Sequence, residues 1–480
     1  MKIFAVTLAA LALPAAALAG EGRQLATIDA QATLALTSYF ATCPATAGDL
    51  TLCLGAQNTI DAKIALKVAL NSEAYIAAAA KFTQAVIAFG IDTANAGLYL
   101  AFRKSVYIYN VITSVEISAG LSVDAKGDLV LGESWVTFLT ELELALINGY
   151  KEDDENPRPE GERTATPTTL APSASPDATT DAPVKSPTKA PTIATSINWA
   201  VKGMVGPVLN QGSCGSCWAF AAVSASQGLS AIETGYLNEV SPQQLVDCAP
   251  EGDCGGGNYV SMWRSSGYLN TNFFSTSASY SYTAKTETCA TTGEAVLKTK
   301  GLVQLSGRTA ATDVEIKAQL RIQPLSVSIS AGCSAFSSYK SGILTASACV
   351  SGCSAPRIDH AVLLVGFGID PSTEQEFWIV QNSWGTSWGE EGFVRIAMNG
   401  DVYNSDMKAY GACGINANPA APESTETKSG CEGEACGGKK VSAGTGGDGD
   451  DGKDPGTAAA STTLSGAIAL GAIFLAQQNM

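Results

Sequence analysis

The sequence has very little histidine and no excess of positive charge. His360 is the single histidine among 480 residues, so a zinc site built from several histidines is excluded. Asp and Glu outnumber Lys and Arg by 45 to 29, the formal net charge is −16, and no segment is a basic patch. Nucleic-acid binding is therefore not expected. The cysteine spacing does not indicate a four-cysteine zinc site, and we expect neither a metal nor a cofactor.

Residues 1–19 are typical of an export signal. Lys2 supplies a positive charge, Ile3 to Leu13 form an apolar run that ends at Pro14, and Ala17-Leu18-Ala19 fits a cleavage site. The run is short for a membrane helix, which needs about 20 residues. Export permits disulfides among the 13 cysteines. We expect the protein in the secretory pathway, with a final location outside the cell, at its surface, or in a lysosome or vacuole.

Residues 464–480 form an apolar C-terminal segment. The apolar run from Leu464 to Ala476 follows a polar spacer and resembles a GPI-anchor signal. No Lys or Arg follows the run, which counts against a stop-transfer segment. A lipid anchor, a spanning segment and a free end are the three alternatives.

Composition separates three further segments from the central part of the chain. Residues 20–150 are Ala-rich with apolar residues at helical spacing, and residues 151–192 are a linker rich in Pro and Thr. Residues 419–463 are rich in Gly, Ala, Ser, Thr and Asp and are predicted to be disordered.

Residues 193–418 are predicted to form an α+β unit with two lobes. A helix is predicted from Cys217 to Thr234, with Gly235 as its C-terminal stop. Short apolar runs at 361–368 and 377–381 are typical of buried strands. Helical content early and strands late favour this class of fold.

Cys217 is the candidate nucleophile. It lies in the run Cys214-Gly-Ser-Cys-Trp218, a pattern reported around nucleophilic cysteines. It also opens the predicted helix, where unpaired N–H groups and the helix dipole favour a thiolate.

His360 is the candidate acid and base, because a thiolate nucleophile needs a partner that accepts and delivers a proton. It lies 143 residues after Cys217, within the range reported for this arrangement. Asn382 follows a predicted buried strand and can orient the imidazole without charging it. Trp384 and Trp388 are placed to shield that hydrogen bond from water.

Residues 193–418 resemble the papain-like cysteine proteases, the family of the cathepsins. The resemblance rests on five separate blocks in the family's order: residues 197–203, 210–220, 241–248, 358–368 and 381–389. It implies a papain-like fold with a helical left lobe and a β-barrel-like right lobe, and a proenzyme that hydrolyses peptide bonds through an acyl-enzyme. It also implies that the Gln211 side chain and the Cys217 N–H form the oxyanion hole. The partners expected are peptide and protein substrates and the chain's own pro-region, and we expect a monomer.

The same resemblance places the substrate groove. Gly256 and Gly257 would let the substrate backbone pair closely with the enzyme, while Gly255 replaces the family's usual Asn in that turn. Trp384 is also assigned to substrate binding. The pocket for the second residue before the scissile bond would be lined by Asn258, Tyr259, Ser328, Ile358, Ala361 and Asn418.

The resemblance also implies disulfide pairs. It predicts Cys214–Cys254, Cys248–Cys289 and Cys353–Cys413, and it leaves Cys333 and Cys349 to pair with each other. Cys43–Cys53 and Cys431–Cys436 are predicted as local bridges from their proximity in the sequence. Cys217 is then the one cysteine left over, although other connectivities are compatible with the count.

Residues 20–150 depart from the family's inhibitory pro-region. Arg103, Tyr107 and Asn110 fit the middle of the family's helical pattern, but Tyr99 replaces its Glu and Ser114 replaces its Ile. The segment is either a degenerate inhibitory pro-region, which we favour, or a separate helical domain.

Two other functions are alternatives to a cysteine endopeptidase. One is a catalytically silent surface-binding protein on the same fold, which the intact Cys217, Gln211, His360 and Asn382 disfavour. The other is a cysteine exopeptidase, for which no occluding insertion is evident between Tyr259 and Ser328.

Overall fold

The computed structural model describes residues 72–88, 98–120, 129–139, 144–145, 147–151, 196–290, 293–306, 310–351, 357–398 and 410–441. Four predictions lie outside these residues: the export signal 1–19, the Cys43–Cys53 pair, the C-terminal segment 464–480 and, apart from Lys151, the linker 151–192. Within the described ranges, no helix has the length and apolar character needed to cross a membrane.

Nine α-helices are described: α1 Ser72–Ala88, α2 Leu98–Gly120, α3 Cys217–Thr234, α4 Pro242–Cys248, α5 Tyr259–Met262, α6 Tyr268–Thr271, α7 Asp313–Leu320, α8 Ser334–Ser337 and α9 Ala346–Cys349. Three 3₁₀ turns cover Trp135–Phe138, Ala412–Gly414 and Ala435–Gly437.

The described strands are β1 Val130–Leu131, β2 Ile197–Asn198, β3 Tyr236–Leu237, β4 Gly252–Asp253, β5 Gly256–Gly257, β6 Phe274–Ser275, β7 Ala295–Lys300, β8 Val303–Gln304, β9 Leu325–Ile329, β10 Tyr339–Ser341, β11 Ile343–Leu344, β12 His360–Ile369, β13 Glu376–Gln381, β14 Phe393–Ala397, β15 Ala420–Ala421, β16 Ser424–Thr427 and β17 Lys439–Lys440. The largest sheet has the order β11-β14-β13-β12-β9-β15-β8, and β2 also pairs with β12.

The helix α3 begins and ends where the sequence predicts. It runs from Cys217 to Thr234, and Gly235 follows it with φ 76°, a left-handed conformation that glycine adopts without steric cost. Fourteen of its residues are buried, because it packs on all sides rather than along one stripe. The helix therefore forms the centre of one lobe and carries Cys217 at its first position.

The predicted strands form the centre of the other lobe. The runs at 361–368 and 377–381 lie in β12 and β13, which pair antiparallel, as β12 also does with β9. Nine of the ten residues of β12 are buried, as expected for a strand covered on both faces. One apolar core surrounds this sheet and a second surrounds α3, so the α+β, two-lobe prediction is confirmed.

The predicted pro-region packs against residues 193–418, the predicted protease unit. Asn110 on α2 donates from Nδ2 to the carbonyls of Thr137 and Leu139, at 2.9 and 2.8 Å, which ties the helix to the chain that follows it. That chain contributes β1, which pairs antiparallel with β10 of the protease unit. Val136 and Ile147 are part of the sheet core. The described part of residues 20–150 therefore makes direct contacts with residues 193–418.

The cysteine pairing agrees with the prediction at three bridges and differs at two. Cys214–Cys254, Cys248–Cys289 and Cys431–Cys436 are bonded. Cys349, however, bonds Cys413. The predictions Cys353–Cys413 and Cys333–Cys349 are therefore wrong. The reason is spatial: Cys349 ends α9, which packs against the 3₁₀ turn containing Cys413, and sequence order does not reveal that contact.

The prediction of disorder over 419–463 is wrong for residues 419–441. We call residues 424–441 the C-terminal clasp. Its strand β16 pairs antiparallel with β7 over four residues, and β17 pairs with β3. The Cys431–Cys436 bridge lies between the two strands, and Cys431 is 6% exposed. A polar composition suggested disorder, but strand pairing with a neighbouring edge satisfies the backbone of this segment.

Candidate active site

Cys217 lies at the N-terminus of the buried helix α3. Ser216 is the N-cap residue, and the Cys217 side chain is fully buried. It is the one free cysteine among the described residues. Hydrogen bonds from the backbone of Ala361, Trp218 and Gly149 act to lower the pKa of its thiol. The helix N-terminus and these donors form an electrostatic environment that favours negative charge on sulfur.

His360 is held by Asn382. His360 Nε2 lies 2.8 Å from Asn382 Oδ1, which also accepts the N–H of Ser383 at 2.8 Å. Because the Asn382 oxygen is thus fixed as an acceptor, the proton belongs on Nε2, and Nδ1 is free to exchange a proton. Nδ1 is buried and has no hydrogen-bond partner in the described part of the chain.

Trp384 covers the His360–Asn382 bond. Its ring centroid lies 4.9 Å from that of His360, with 34° between the planes, and the indole is fully buried. Trp388 and Phe336 pack behind it, with centroids 5.4 and 5.6 Å from Trp384. The indole therefore excludes water from the bond.

Gln211 is oriented by two residues that the sequence analysis did not single out. Ser383 donates from Oγ to Gln211 Oε1 at 2.6 Å, which turns the amide nitrogen toward the cleft. Tyr282 donates to the Gln211 backbone carbonyl at 2.8 Å and lies 2.6 Å from the hydroxyl of Ser216. Ser383 belongs to the Asn382 block, but no local pattern marks Tyr282, because its role depends on a contact 71 residues away.

Burial in this closed form favours the neutral state of both reactive groups. Desolvation raises the pKa of the Cys217 thiol to about 12, against the lowering effect of its backbone donors. Desolvation also lowers the pKa of His360 to about 4, although the bond to Asn382 opposes this. In the conformation described, burial therefore opposes formation of the thiolate–imidazolium pair.

The glycine turn forms one wall of the cleft. β4 and β5 pair as a short hairpin, and Asp253 Oδ1 accepts the N–H of Gly255 at 2.7 Å, so the turn forms without the family's Asn. A Cβ on Gly257 would lie 2.7 Å from the ring of Trp218. The ring sits directly against this backbone, so glycine is required there.

The predicted side-chain pocket is brought together by the start of α5, by β9, by β12 and by the chain before β15. Tyr259, Ser328 and Ala361 are buried in it, and Ile358 packs against the same core. Asn418 Nδ2 donates to Ser328 Oγ at 3.3 Å, and Tyr259 donates to the Asn418 carbonyl. The pocket is thus apolar at its sides with amide and hydroxyl groups at one end.

Residues 147–151, which we call the cleft segment, occupy this site. Gln211 donates from Nε2 to the Ile147 carbonyl at 2.7 Å. The Gly149 carbonyl accepts the N–H of Gly257 at 2.8 Å, and Lys151 N–H donates to the Gly257 carbonyl at 3.0 Å. Tyr150 packs its ring 5.2 Å from that of Tyr259. Gln211, the glycine wall and the predicted side-chain pocket are therefore all covered.

Comparison with known proteins agrees with this geometry. Residues 193–423 match the sequence profile described as papain family cysteine protease. The digestive cysteine proteinase 1 of Homarus americanus is 37% identical over 265 residues, covering 53% of this chain and 70% of the lobster protein. The senescence-specific cysteine protease SAG39 of Oryza sativa subsp. indica is 34% identical over 230 residues, and the match spans 62% of its length.

A solved proform is also similar. The crystal structure of the Amb a 11 cysteine protease, a major ragweed pollen allergen, in its proform superposes with a TM-score of 0.52 at 26% identity, covering 72% of this chain and 93% of that chain. The chain therefore belongs to the papain family of cysteine proteases.

Proposed function

We propose that the chain is a cysteine endopeptidase of the secretory pathway, made as a proenzyme. The observation that carries the proposal is the constellation itself: a free Cys217 at a buried helix N-terminus, with a 2.8 Å His360–Asn382 bond under Trp384. The disulfides fit an exported protein. The proposed protease unit is residues 193–418 extended by the C-terminal clasp.

The reaction uses the roles that the geometry allows. His360 Nδ1 takes the Cys217 proton, and the sulfur attacks the substrate carbonyl carbon. The developing oxyanion accepts hydrogen bonds from Gln211 Nε2 and the Cys217 N–H. The imidazolium then protonates the leaving amine, and a water molecule activated by His360 hydrolyses the thioester. Asn382 keeps the imidazole in position throughout.

The cleft segment inhibits because its chain runs through the cleft in the direction opposite to that of a substrate. In a substrate, the residue in the side-chain pocket precedes the scissile carbonyl. In the cleft segment, the Ile147 carbonyl at Gln211 precedes Tyr150 at the pocket, so the chain runs in the opposite direction. Its bridge to Gly257 is parallel. The segment can therefore cover the site without presenting a peptide bond to Cys217 in the reactive orientation.

Tyr150 indicates the side chain that the pocket accepts. It is 6% exposed, stacks on Tyr259 and belongs to the same core as Ile358 and Ala361. We therefore propose an aromatic preference at the second residue before the scissile bond. The Asn418–Ser328 end of the pocket can bind a phenolic hydroxyl.

Endopeptidase action is favoured over exopeptidase action by the path of the cleft segment. Lys151 continues past the pocket, and Asn258 Nδ2 donates to its carbonyl at 2.9 Å. Lys151 is exposed, so chain can extend beyond Tyr150 on that side and a substrate need not end there.

The test is hydrolysis of matched peptides that differ only at the second residue before the cleavage point. The processed enzyme should cut Tyr or Phe peptides faster than Ala peptides by roughly tenfold or more, since each buried aromatic contributes a few kcal/mol. Cys217→Ala should lower turnover by more than about a thousandfold with an unchanged circular dichroism spectrum. Full retention of activity in Cys217→Ala would refute the nucleophile assignment.

A further inference from the structure

One buried hydroxyl pair joins the pro-region to the protease unit. Ser114 on α2 and Ser338 after α8 have their Oγ atoms 2.7 Å apart, and the two residues are 8% and 5% exposed. Ser114 is the position at which the family's pro-region pattern has Ile. A departure from the pattern is thus matched by a polar partner on the opposite surface.

The hydrogen bonds beside this pair are made by backbone, and Ile117 and Leu129 add apolar packing against the sheet core. The N–H of Gly132 donates to the Ser338 carbonyl at 2.6 Å, and β1 pairs with β10 immediately beside it. Backbone bonds supply affinity but do not depend on side-chain identity. The hydroxyl pair is therefore a directional side-chain contact that can discriminate one pro-region from another, because a buried hydroxyl needs a hydrogen-bond partner.

We infer that the Ser114–Ser338 pair makes the pro-region selective for its own protease unit. A pro-region with Ile at this position would leave the Ser338 hydroxyl buried without a partner and would crowd it, and both effects weaken docking. The inference rests on the proposed inhibition by the pro-region and adds the side-chain contact by which that inhibitor recognises its enzyme.

The two hydroxyls are not equivalent, and this gives the inference a distinctive signature. Ser114 Oγ also lies 2.9 Å from the Asn110 carbonyl, so it keeps a partner when Ser338 is removed. Ser338 Oγ has no second hydrogen-bond partner among the described residues. Removing Ser114 should therefore weaken docking much more than removing Ser338.

The experiment uses the intact full-length chain and measures how fast a peptidyl vinyl sulfone labels Cys217, before any cut appears by mass spectrometry. Labelling reports the fraction of molecules whose cleft is open. Ser114→Ala should speed labelling roughly tenfold, because it orphans a buried hydroxyl, whereas Ser338→Ala should change it by about twofold or less. Ser114→Ile should speed labelling more than Ser114→Ala does, because it adds volume to a packed contact.

The double variant decides the matter. Ser114→Ala with Ser338→Ala should label more slowly than Ser114→Ala alone, because no hydroxyl is then left unpaired. Ser118→Ala is the matched control: its hydroxyl donates to the Ser114 carbonyl within α2 at 2.8 Å, and labelling should stay at the wild-type rate. Equal effects of the two single variants, or a double variant that labels as fast as their product predicts, would overturn the inference.

Failure of the proposed function looks different. If intact wild-type chain labels as fast as processed enzyme, the pro-region does not inhibit. If processed enzyme does not label at Cys217, the nucleophile assignment is wrong. Neither result resembles the pattern of single and double serine variants.

Discussion

At the scale of single residues, the most constrained position in the cleft segment is Gly149. A Cβ there would lie 1.9 Å from the Gly215 carbonyl oxygen and 2.4 Å from its carbon, both backbone atoms of the loop before Cys217. Real Cβ contacts do not reach such distances, so any side chain must displace the segment. The fit that covers Cys217 depends on one residue having no side chain.

Gly149→Ala should therefore release inhibition without changing the processed enzyme. We expect hydrolysis by the intact chain to rise at least tenfold, measured with a small fluorogenic peptide before any cut is seen. Gly132→Ala is the control, because its Cβ would lie 3.2 Å from Lys340 Cβ, a far milder contact than that at Gly149. If the intact Gly149→Ala chain hydrolysed the peptide no faster than the intact wild-type chain, the described position of the cleft segment would be contradicted.

Protonation of His360 and protonation of Asp359 should change the stability of the closed state in opposite directions as pH falls. Burial lowers the pKa of His360 to about 4 from its ordinary 6.5, so the closed state binds fewer protons than the open one in that window and loses stability as pH falls. Burial raises the pKa of Asp359 to about 6 from 3.8, so its proton uptake stabilises the closed state as pH falls.

The two contributions should nearly cancel between about pH 6 and 4, and Asp359→Asn should remove the cancellation. Both proteins carry Cys217→Ser. Across this pH window, acidification should open the cleft of the Asp359→Asn variant more than that of its parent. Opening can be followed by the fluorescence of Trp135, whose indole donates to the Trp384 carbonyl at 2.7 Å, with Trp135→Phe as the reference that lacks the signal. Identical opening curves would show that these groups do not control docking.

At the scale of elements, the C-terminal clasp contacts the C-terminal end of α3, the helix that begins at Cys217. Thr425 bonds Glu233 on α3, the Val441 N–H donates to the Gly235 carbonyl at 3.0 Å, and Lys439 pairs with Glu239. The helix has 18 residues, so these contacts lie about 27 Å from Cys217. The clasp also pairs with β7, which would otherwise present an open edge.

Removing the disulfide of the clasp should therefore lower the free energy of unfolding and leave catalysis unchanged. Replacing Cys431 and Cys436 by Ser should destabilise the processed enzyme by about 2 kcal/mol through loss of the cross-link, a drop of several degrees in Tm. We expect kcat/KM to stay within about twofold. Lys440→Ala, an exposed change on the same segment, should leave Tm where it is. A Tm unchanged by the double cysteine replacement would mean that the bridge does not stabilise the clasp.

At the scale of the whole molecule, the linker connects Lys151 in the cleft with Ser196, beside the strand β2 on the large sheet. As long as the chain is continuous, the pro-region stays near the cleft at an effective concentration set by the linker. A cut in the linker converts this docking into a bimolecular equilibrium that dilution can dissociate.

Cleavage within or just after residues 151–192 should accordingly precede full activity. The test incubates full-length Cys217→Ala with a trace of active enzyme and locates the cuts by mass; the same chain alone should stay intact. After the cut, peptide hydrolysis by the wild-type protein should rise on dilution, whereas the uncut chain should show no such dependence. A fully active, uncut natural form would rule the proenzyme out.

Much of the fold and site follows from local sequence. Apolar runs predict β12 and β13, and Gly235 predicts the end of α3, because periodicity and φ preferences act between near neighbours. The candidate residues Cys217, His360 and Asn382 stand out by residue type, spacing and element boundary. Resemblance to the family then supplies the role expected of Gln211.

Other features depend on contacts between residues far apart in the chain. The Cys349–Cys413 pairing, the order of the clasp, the Tyr282 contact with Gln211 and the Ser114–Ser338 pair each join segments that sequence patterns treat independently. The same holds for the protonation state of the site, because burial in the folded chain is what favours the neutral forms of Cys217 and His360. Sequence by itself determined which groups can do the chemistry; the tertiary structure decided how they are held and covered, because desolvation and partner geometry exist only after the chain has folded.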